Sequence, residues 1–159
     1  MTIRLGAVRQ FTYEERAQCS SRLDIGSPNA EDNEETMHAL VVDDSRATRS
    51  VLRRMLERLG YTVAEAADGT EALAHIQAGP PPTLVLVDWN MPTMNGLELV
   101  KAVRASHAYD GVCLVMVTTE TDLSHVTDAL GAGANEYIMK PFTEEILLEK
   151  LAIVGLPEA

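Results

Sequence analysis

Three carboxylates stand directly behind short apolar runs: Asp43 and Asp44 follow ALVV, and Asp88 follows LVLV. Brought together, they repel one another, and a cation relieves that repulsion. Oxygen ligands without His or Cys suit a hard metal. Mg²⁺ in particular takes one or two carboxylates and keeps waters that phosphate oxygens can replace. Two more polar residues close apolar runs in the same way, Thr118 after VCLVMV and Lys140 after EYIM. Phosphoryl transfer to a carboxylate needs in-line positioning and neutralisation of charge on the phosphoryl oxygens, which a metal, a hydroxyl and an ammonium supply together. Taken singly, each residue has an ordinary role: the Asp as a helix cap, Thr118 as a satisfied strand-end hydroxyl, Lys140 as a surface ion-pair partner. Their shared placement behind strands is what points to chemistry.

The elements that must position them follow from the pattern of apolar residues. From His38 onward, short apolar runs alternate with segments of helical period, the signature of βα units and a parallel sheet. The strands are expected at Ala39 to Val42, Tyr61 to Ala66, Leu84 to Val87, Val112 to Val117 and Glu136 to Met139. Buried parallel strands read as near-continuous apolar runs, so the first, third and fourth belong in the middle of the sheet and the second at an edge. Val51, Leu52, Met55, Leu56 and Leu59 recur at helical spacing between Ser45 as N-cap and Gly60 as stop. A second helix follows Asp68 with Ala72, Leu73 and Ile76, and a third carries Leu99, Val100 and Val103. The fourth runs from near Asp122 to Leu130 and stops at Gly131 to Gly133. The fifth begins at Thr143, with Glu144 and Glu145 in a first turn whose dipole favours anions, and buries Leu147, Leu151 and Val154. This is a (βα)₅ architecture. In such open sheets ligands bind beyond the carboxyl ends of the strands, where strand order reverses.

The composition suits this reading. With 159 residues the chain has room for one ordinary core, and a net charge of -11 disfavours general affinity for nucleic acid or an anionic membrane. Two cysteines, Cys19 and Cys113, imply no disulfide framework and fit a reducing compartment, so the cytoplasm is the expected location. No apolar run approaches the length of a membrane span. Residues 1–36, with the polar and acidic SPNAEDNEET, read as a tail and linker that is disordered or loosely docked, ahead of a domain at 37–159. Met37 is a second candidate start.

VVDDS, VLVDWNMPTMNGLEL, VMVTTE and GANEYIMKPF, in this order, resemble the motifs of response regulator receiver domains across His38 to Val154. The resemblance implies a flavodoxin-like, doubly wound parallel sheet of order 2-1-3-4-5. It implies Asp88 as phosphoacceptor, with Asp43, Asp44, Asp88 and the Asn90 backbone carbonyl as ligands of Mg²⁺. Thr118 would contact the phosphoryl group, Lys140 would pair with an Asp88 oxygen and then with a phosphoryl oxygen, and Pro141 would follow a cis peptide. Tyr137 matches the aromatic that switches with Thr118. The implied partners are a histidine kinase or histidine phosphotransfer protein as donor and a downstream protein target. DWNMP and the Asn90 and Glu120 pair are similar to the chemotaxis branch, with a phosphorelay intermediate as the other reading.

Thr119 departs from the family pattern, standing where a smaller residue is usual, and is expected to crowd the approach to Asp88. The first helix is strongly basic through Arg46, Arg49, Arg53, Arg54 and Arg58, which suits either contact with the donor protein or a solvated face balanced by acids. Two other classes are weighed. A haloacid-dehalogenase-like phosphatase shares the Asp nucleophile and Mg²⁺ but expects D-x-D after its first strand, where this chain has adjacent Asp43 and Asp44. A phosphorylation-independent scaffold would not need competent side chains at all five site positions. The expected protein is therefore a switch rather than a turnover enzyme.

Overall fold

A computed structural model describes residues 36–157. The expected tail and linker, with Cys19, lie outside the described residues apart from Thr36. Five strands alternate with five helices: β1 (His38–Val42), α1 (Arg46–Arg58), β2 (Thr62–Ala66), α2 (Gly69–Gln77), β3 (Leu84–Val87), α3 (Gly96–Arg104), β4 (Cys113–Thr118), α4 (Leu123–Ala132), β5 (Glu136–Met139) and α5 (Glu144–Ile153). A 3₁₀ turn at His107–Tyr109 joins α3 to β4. The sheet is wholly parallel with order β2-β1-β3-β4-β5, the expected flavodoxin-like topology. As the apolar runs imply, β1, β3 and β4 are interior and β2 is an edge.

Side chains alternate across each strand, so a doubly covered sheet has two cores. Val42, Val87 and Met116 face α2, α3 and α4 through Ile76, Leu99, Val103 and Ala129. Val41, Leu86 and Val115 face α1 and α5 through Leu52, Leu56, Leu147 and Leu151. Each such Leu contributes about 2 kcal/mol by burial.

The helices start where their caps dictate. The side chains of Ser45, Asp68, Asn95, Asp122 and Thr143 each accept from a backbone N–H of the following turn. Asn95 and Glu98 form a reciprocal capping box. The α4 helix ends at Gly133, within the expected Gly131 to Gly133 stop, and the φ of 113° there is the left-handed cap conformation. Two sequence expectations shift. Val51 has helical spacing yet is exposed, because the apolar stripe needs only the residues that reach the sheet. Val154 is the half-buried cap of α5 rather than part of its core face.

Arg104 joins the end of α3 to its surroundings. Its guanidinium donates to the carbonyls of Gly133, Tyr109 and Val112 and to Asn135 Oδ1, at 2.7 to 3.0 Å. The loop between β3 and α3 is equally constrained. Gly96 N–H donates to the Trp89 carbonyl, and Gly69 N–H donates to the Met94 carbonyl. A Cβ on Gly96 would lie 2.2 Å from the Asp88 carbonyl oxygen and 2.9 Å from Met116 Cε. The first of these is backbone and cannot give way. Gly96→Ala is therefore expected to lower stability by about 2 kcal/mol, the scale of an overpacked core site, in a chemical denaturation titration. A loss no greater than that of a surface substitution would show that the loop accommodates the methyl.

Candidate functional site

Parallel pairing places the ends of β1 and β3 side by side, Val42 opposite Val87, so the residues that follow meet at one edge. The Asp43 N–H donates to the Ala66 carbonyl and the Asp88 N–H to the Val42 carbonyl, extending the ladder by one residue on each side. As a result, carboxylate oxygens of Asp43, Asp44 and Asp88 lie within 4.8 Å of one another. Asp43 and Asp88 are buried, and Asp44 is exposed at the mouth.

Each buried carboxylate is held by donors. Asp43 Oδ1 accepts from Ser45 N–H at 2.8 Å, and Oδ2 accepts from Lys140 Nζ at 2.6 Å. Asp88 Oδ1 accepts from Trp89 N–H at 2.8 Å, while Oδ2 is 3.6 Å from Lys140 Nζ. Lys140 thus spans both acids, and its closer partner is Asp43 rather than Asp88. Burial raises the Asp88 carboxyl above the ordinary carboxylate range; Asp43 adds to this, while Lys140, the Thr118 hydroxyl and Trp89 N–H work against it.

Thr118 is fully buried at the end of β4, and its Oγ1 accepts from Glu120 N–H at 3.2 Å. The Lys140 N–H donates to the Thr118 carbonyl, so β4 and β5 deliver hydroxyl and ammonium together. The ring of Tyr137 is already turned inward, 6% exposed, with its hydroxyl donating to the Glu120 carbonyl at 2.7 Å. Burial, then the charges of Glu120 and Asp88, raise its pKa. The Lys140–Pro141 peptide is cis, as expected. Asn90 is exposed in the loop after β3, and its Nδ2 lies 3.5 Å from Glu120 Oε2. Thr119 is exposed beside these residues.

The basic face of α1 is mostly used within the molecule. Arg49 Nη1 donates to the Asp43 carbonyl at 2.6 Å, Arg53 pairs with Glu57 and Glu65, and Arg58 pairs with Glu144. Arg46 and Arg54 make no ion pair among the described residues. Sequence reasoning also missed His125, whose ring stacks on Trp89 with centroids 4.6 Å apart and planes at 28°. Its helical position alone carried no signal.

An open parallel sheet thus gathers three carboxylates, a hydroxyl and an ammonium at its carboxyl edge, and the three carboxylates form an oxygen donor set of the kind that could hold a hard cation. Comparison with known proteins narrows the class. The family model for the response regulator receiver domain matches residues 39–152. The chemotaxis protein CheY1 of Helicobacter pylori strain J99 is 47% identical over 119 residues, 74% of this chain and 96% of that one. The chemotaxis protein CheY homolog of Campylobacter jejuni strain 81-176 is 48% identical over 116 residues, 72% of this chain and 89% of that one. The solved structure of Vibrio cholerae chemotaxis protein CheY4 superposes with a TM-score of 0.69 at 39% identity, covering 75% of this chain and 98% of the other. The chain belongs to the response regulator receiver domain family of two-component signalling. Among the described residues, no helix is long and apolar enough to cross a membrane.

The acidic cluster has a stability signature. Because the folded pKa of Asp88 is raised, the native state holds a proton that the unfolded state loses at lower pH. Stability therefore falls as pH rises from the ordinary carboxylate range through the raised value, and the deficit persists above it. Without Mg²⁺ at neutral pH, Asp88→Asn is expected to melt a few degrees above the wild type, and the gap is expected to close in acid. Mg²⁺ should raise the wild-type melting temperature more than that of the variant. A variant less stable than the wild type at neutral pH would overturn this account.

Proposed function

We propose that the protein accepts one phosphoryl group on Asp88 from a histidine kinase or a histidine phosphotransfer protein, and signals by phosphorylation-dependent protein binding. The observation that carries this reading is the position of Lys140, between Asp43 and Asp88, beside the Thr118 hydroxyl at the acceptor. An Asp88 carboxylate oxygen attacks the phosphorus of the donor phosphohistidine. The P–N bond breaks, and its electron pair returns to the imidazole nitrogen. Asp43, Asp44, Asp88 and the Asn90 backbone carbonyl are the groups that would hold Mg²⁺, a donor set of oxygens that fits a hard cation. When bound, Mg²⁺ supplies the charge neutralisation that phosphoryl oxygens require beside three carboxylates. Lys140 moves its hydrogen bonding towards a phosphoryl oxygen, and Thr118 donates its hydroxyl to another. The protein is then a stoichiometric switch, acting in the cytoplasm, rather than a turnover enzyme. A chemotaxis role is favoured by the relatives named above and by the Asn90–Glu120 pair at 3.5 Å.

The switch would be read through Glu120. Thr118 Oγ1 now accepts from Glu120 N–H, and the Glu120 carbonyl accepts from Tyr137. Drawing Thr118 to a phosphoryl group loosens Glu120, so the hold on Tyr137 and on the start of α4 changes with it. Phosphorylation shifts that equilibrium only by its differential interaction with the two arrangements.

Two experiments follow. Phosphoramidate with Mg²⁺ is expected to add a single phosphoryl group by intact-mass analysis, and none to Asp88→Asn or in the presence of EDTA. Labelling of Asp88→Asn at the wild-type level would rule out Asp88 as acceptor. By NMR, beryllofluoride with Mg²⁺ is expected to move Tyr137 and α4 resonances in the wild type but not in Thr118→Ala. Equal distant shifts in a variant that binds the mimic would remove Thr118 from the relay.

A further inference from the structure

Glu120 is tied at four points. Its N–H donates to Thr118 Oγ1 at 3.2 Å and its carbonyl accepts from Tyr137 at 2.7 Å. Its side chain divides between two partners, Oε2 with Asn90 Nδ2 at 3.5 Å and Oε1 with His125 Nδ1 at 3.2 Å. The Asn90 contact bridges the two loops, after β3 and after β4, that flank the acceptor. That bridge is long for a hydrogen bond and weak by itself. The His125 contact is closer but off the line of an aligned hydrogen bond, so it is an ion pair when the ring is protonated and a packing contact otherwise.

The ring that makes this contact is itself held. His125 lies in the first turn of α4, a third exposed, and stacks on Trp89. Trp89 is 8% exposed and its N–H donates to Asp88, so the surface under the ring is fixed to the acceptor residue. One face of His125 is therefore set by the acceptor loop, and one edge by Glu120. A solvated helix histidine would show neither constraint.

We propose that His125 is a positioning residue that braces the Glu120 carboxylate across the gap between the two loops, narrowing access to Asp88 for water and for small phosphoryl donors. The proposal rests on phosphorylation at Asp88. A carboxylate held in this gap opposes the approach of anionic donors by charge and of water by occupying space. Released from His125, Glu120 keeps its backbone bonds but its side chain is held only by the long Asn90 contact, and it relaxes towards solvent. Both phosphorylation by a small donor and hydrolysis of the aspartyl phosphate then become faster, because one opening serves both.

Two full-length variants separate the two contacts. His125→Phe keeps an aromatic ring on Trp89 but has no group for Glu120, whereas His125→Gln keeps a donor for Glu120 but has no ring. With phosphoramidate and Mg²⁺, His125→Phe is expected to raise both rate constants by about threefold, the scale of one partly exposed polar contact. His125→Gln is expected to stay near the wild type in both rates. Trp89 emission in the unmodified protein reports the stack directly, and it should be kept in His125→Phe and altered in His125→Gln. Wild-type rates in His125→Phe, or equal acceleration in the two variants, would overturn the brace while leaving Asp88 as acceptor. If the wild type takes up no phosphoryl group, the functional reading fails and the brace falls with it.

Discussion

The mutual repulsion of Asp43, Asp44 and Asp88 is the constraint around which the rest of the molecule is organised. Like charges this close are unfavourable, and two of them are buried. Lys140 answers both buried acids with a single ammonium, and the Ser45 and Trp89 N–H groups answer them with backbone dipoles. Arg49 adds a further positive charge behind them by holding the Asp43 carbonyl. Compensation is incomplete, since Asp88 remains harder to ionise than an ordinary carboxylate. The site is thus left with a standing demand for positive charge. In the function proposed above, a hard cation would meet that demand directly.

Two cores make this tension tolerable. The strands that present the acids are interior, and their apolar residues pack on helices from both sides. A sheet covered on one face only would have less burial to set against the repulsion. Ladder bonds that run one residue past each strand keep Asp43 and Asp88 in register, so the acids cannot drift apart to lower their energy.

Much of this was legible in the sequence, for a definite reason. Interior parallel strands are apolar on both faces, so ALVV, LVLV and VCLVMV announce themselves, and the polar residue that ends each run marks the sheet edge where ligands bind. Helix starts were legible through Ser45, Asp68, Asp122 and Thr143, because caps are local. What was not legible depends on contacts between residues far apart in the chain. Lys140 is closer to Asp43 than to Asp88, a distinction set by strand register and side-chain reach. The basic face of α1 suited either a partner surface or a face balanced by acids, and the distant partners could not be read: Arg49, Arg53 and Arg58 turn to Asp43, Glu65 and Glu144 as well as to Glu57. His125 gave no sign of its stack on Trp89, because the pairing joins a helix and a loop that only the fold brings together. The inward ring of Tyr137 was likewise invisible, since a strand aromatic can pack either way.

Arg104 gives the fourth helix a mechanical asymmetry. Its guanidinium binds the Gly133 carbonyl, Asn135 and the turn before β4, so the far end of α4 is riveted to the body of the domain. The near end is attached through Asp122, which caps it, and His125, which faces Glu120 and Trp89. Any displacement of α4 is therefore a swing about a fulcrum at Gly133, with the longest arm at Leu123, a side chain 76% open to solvent. A tilt of α4 about that end would move Leu123, an apolar residue on the surface, further than any other residue of the helix.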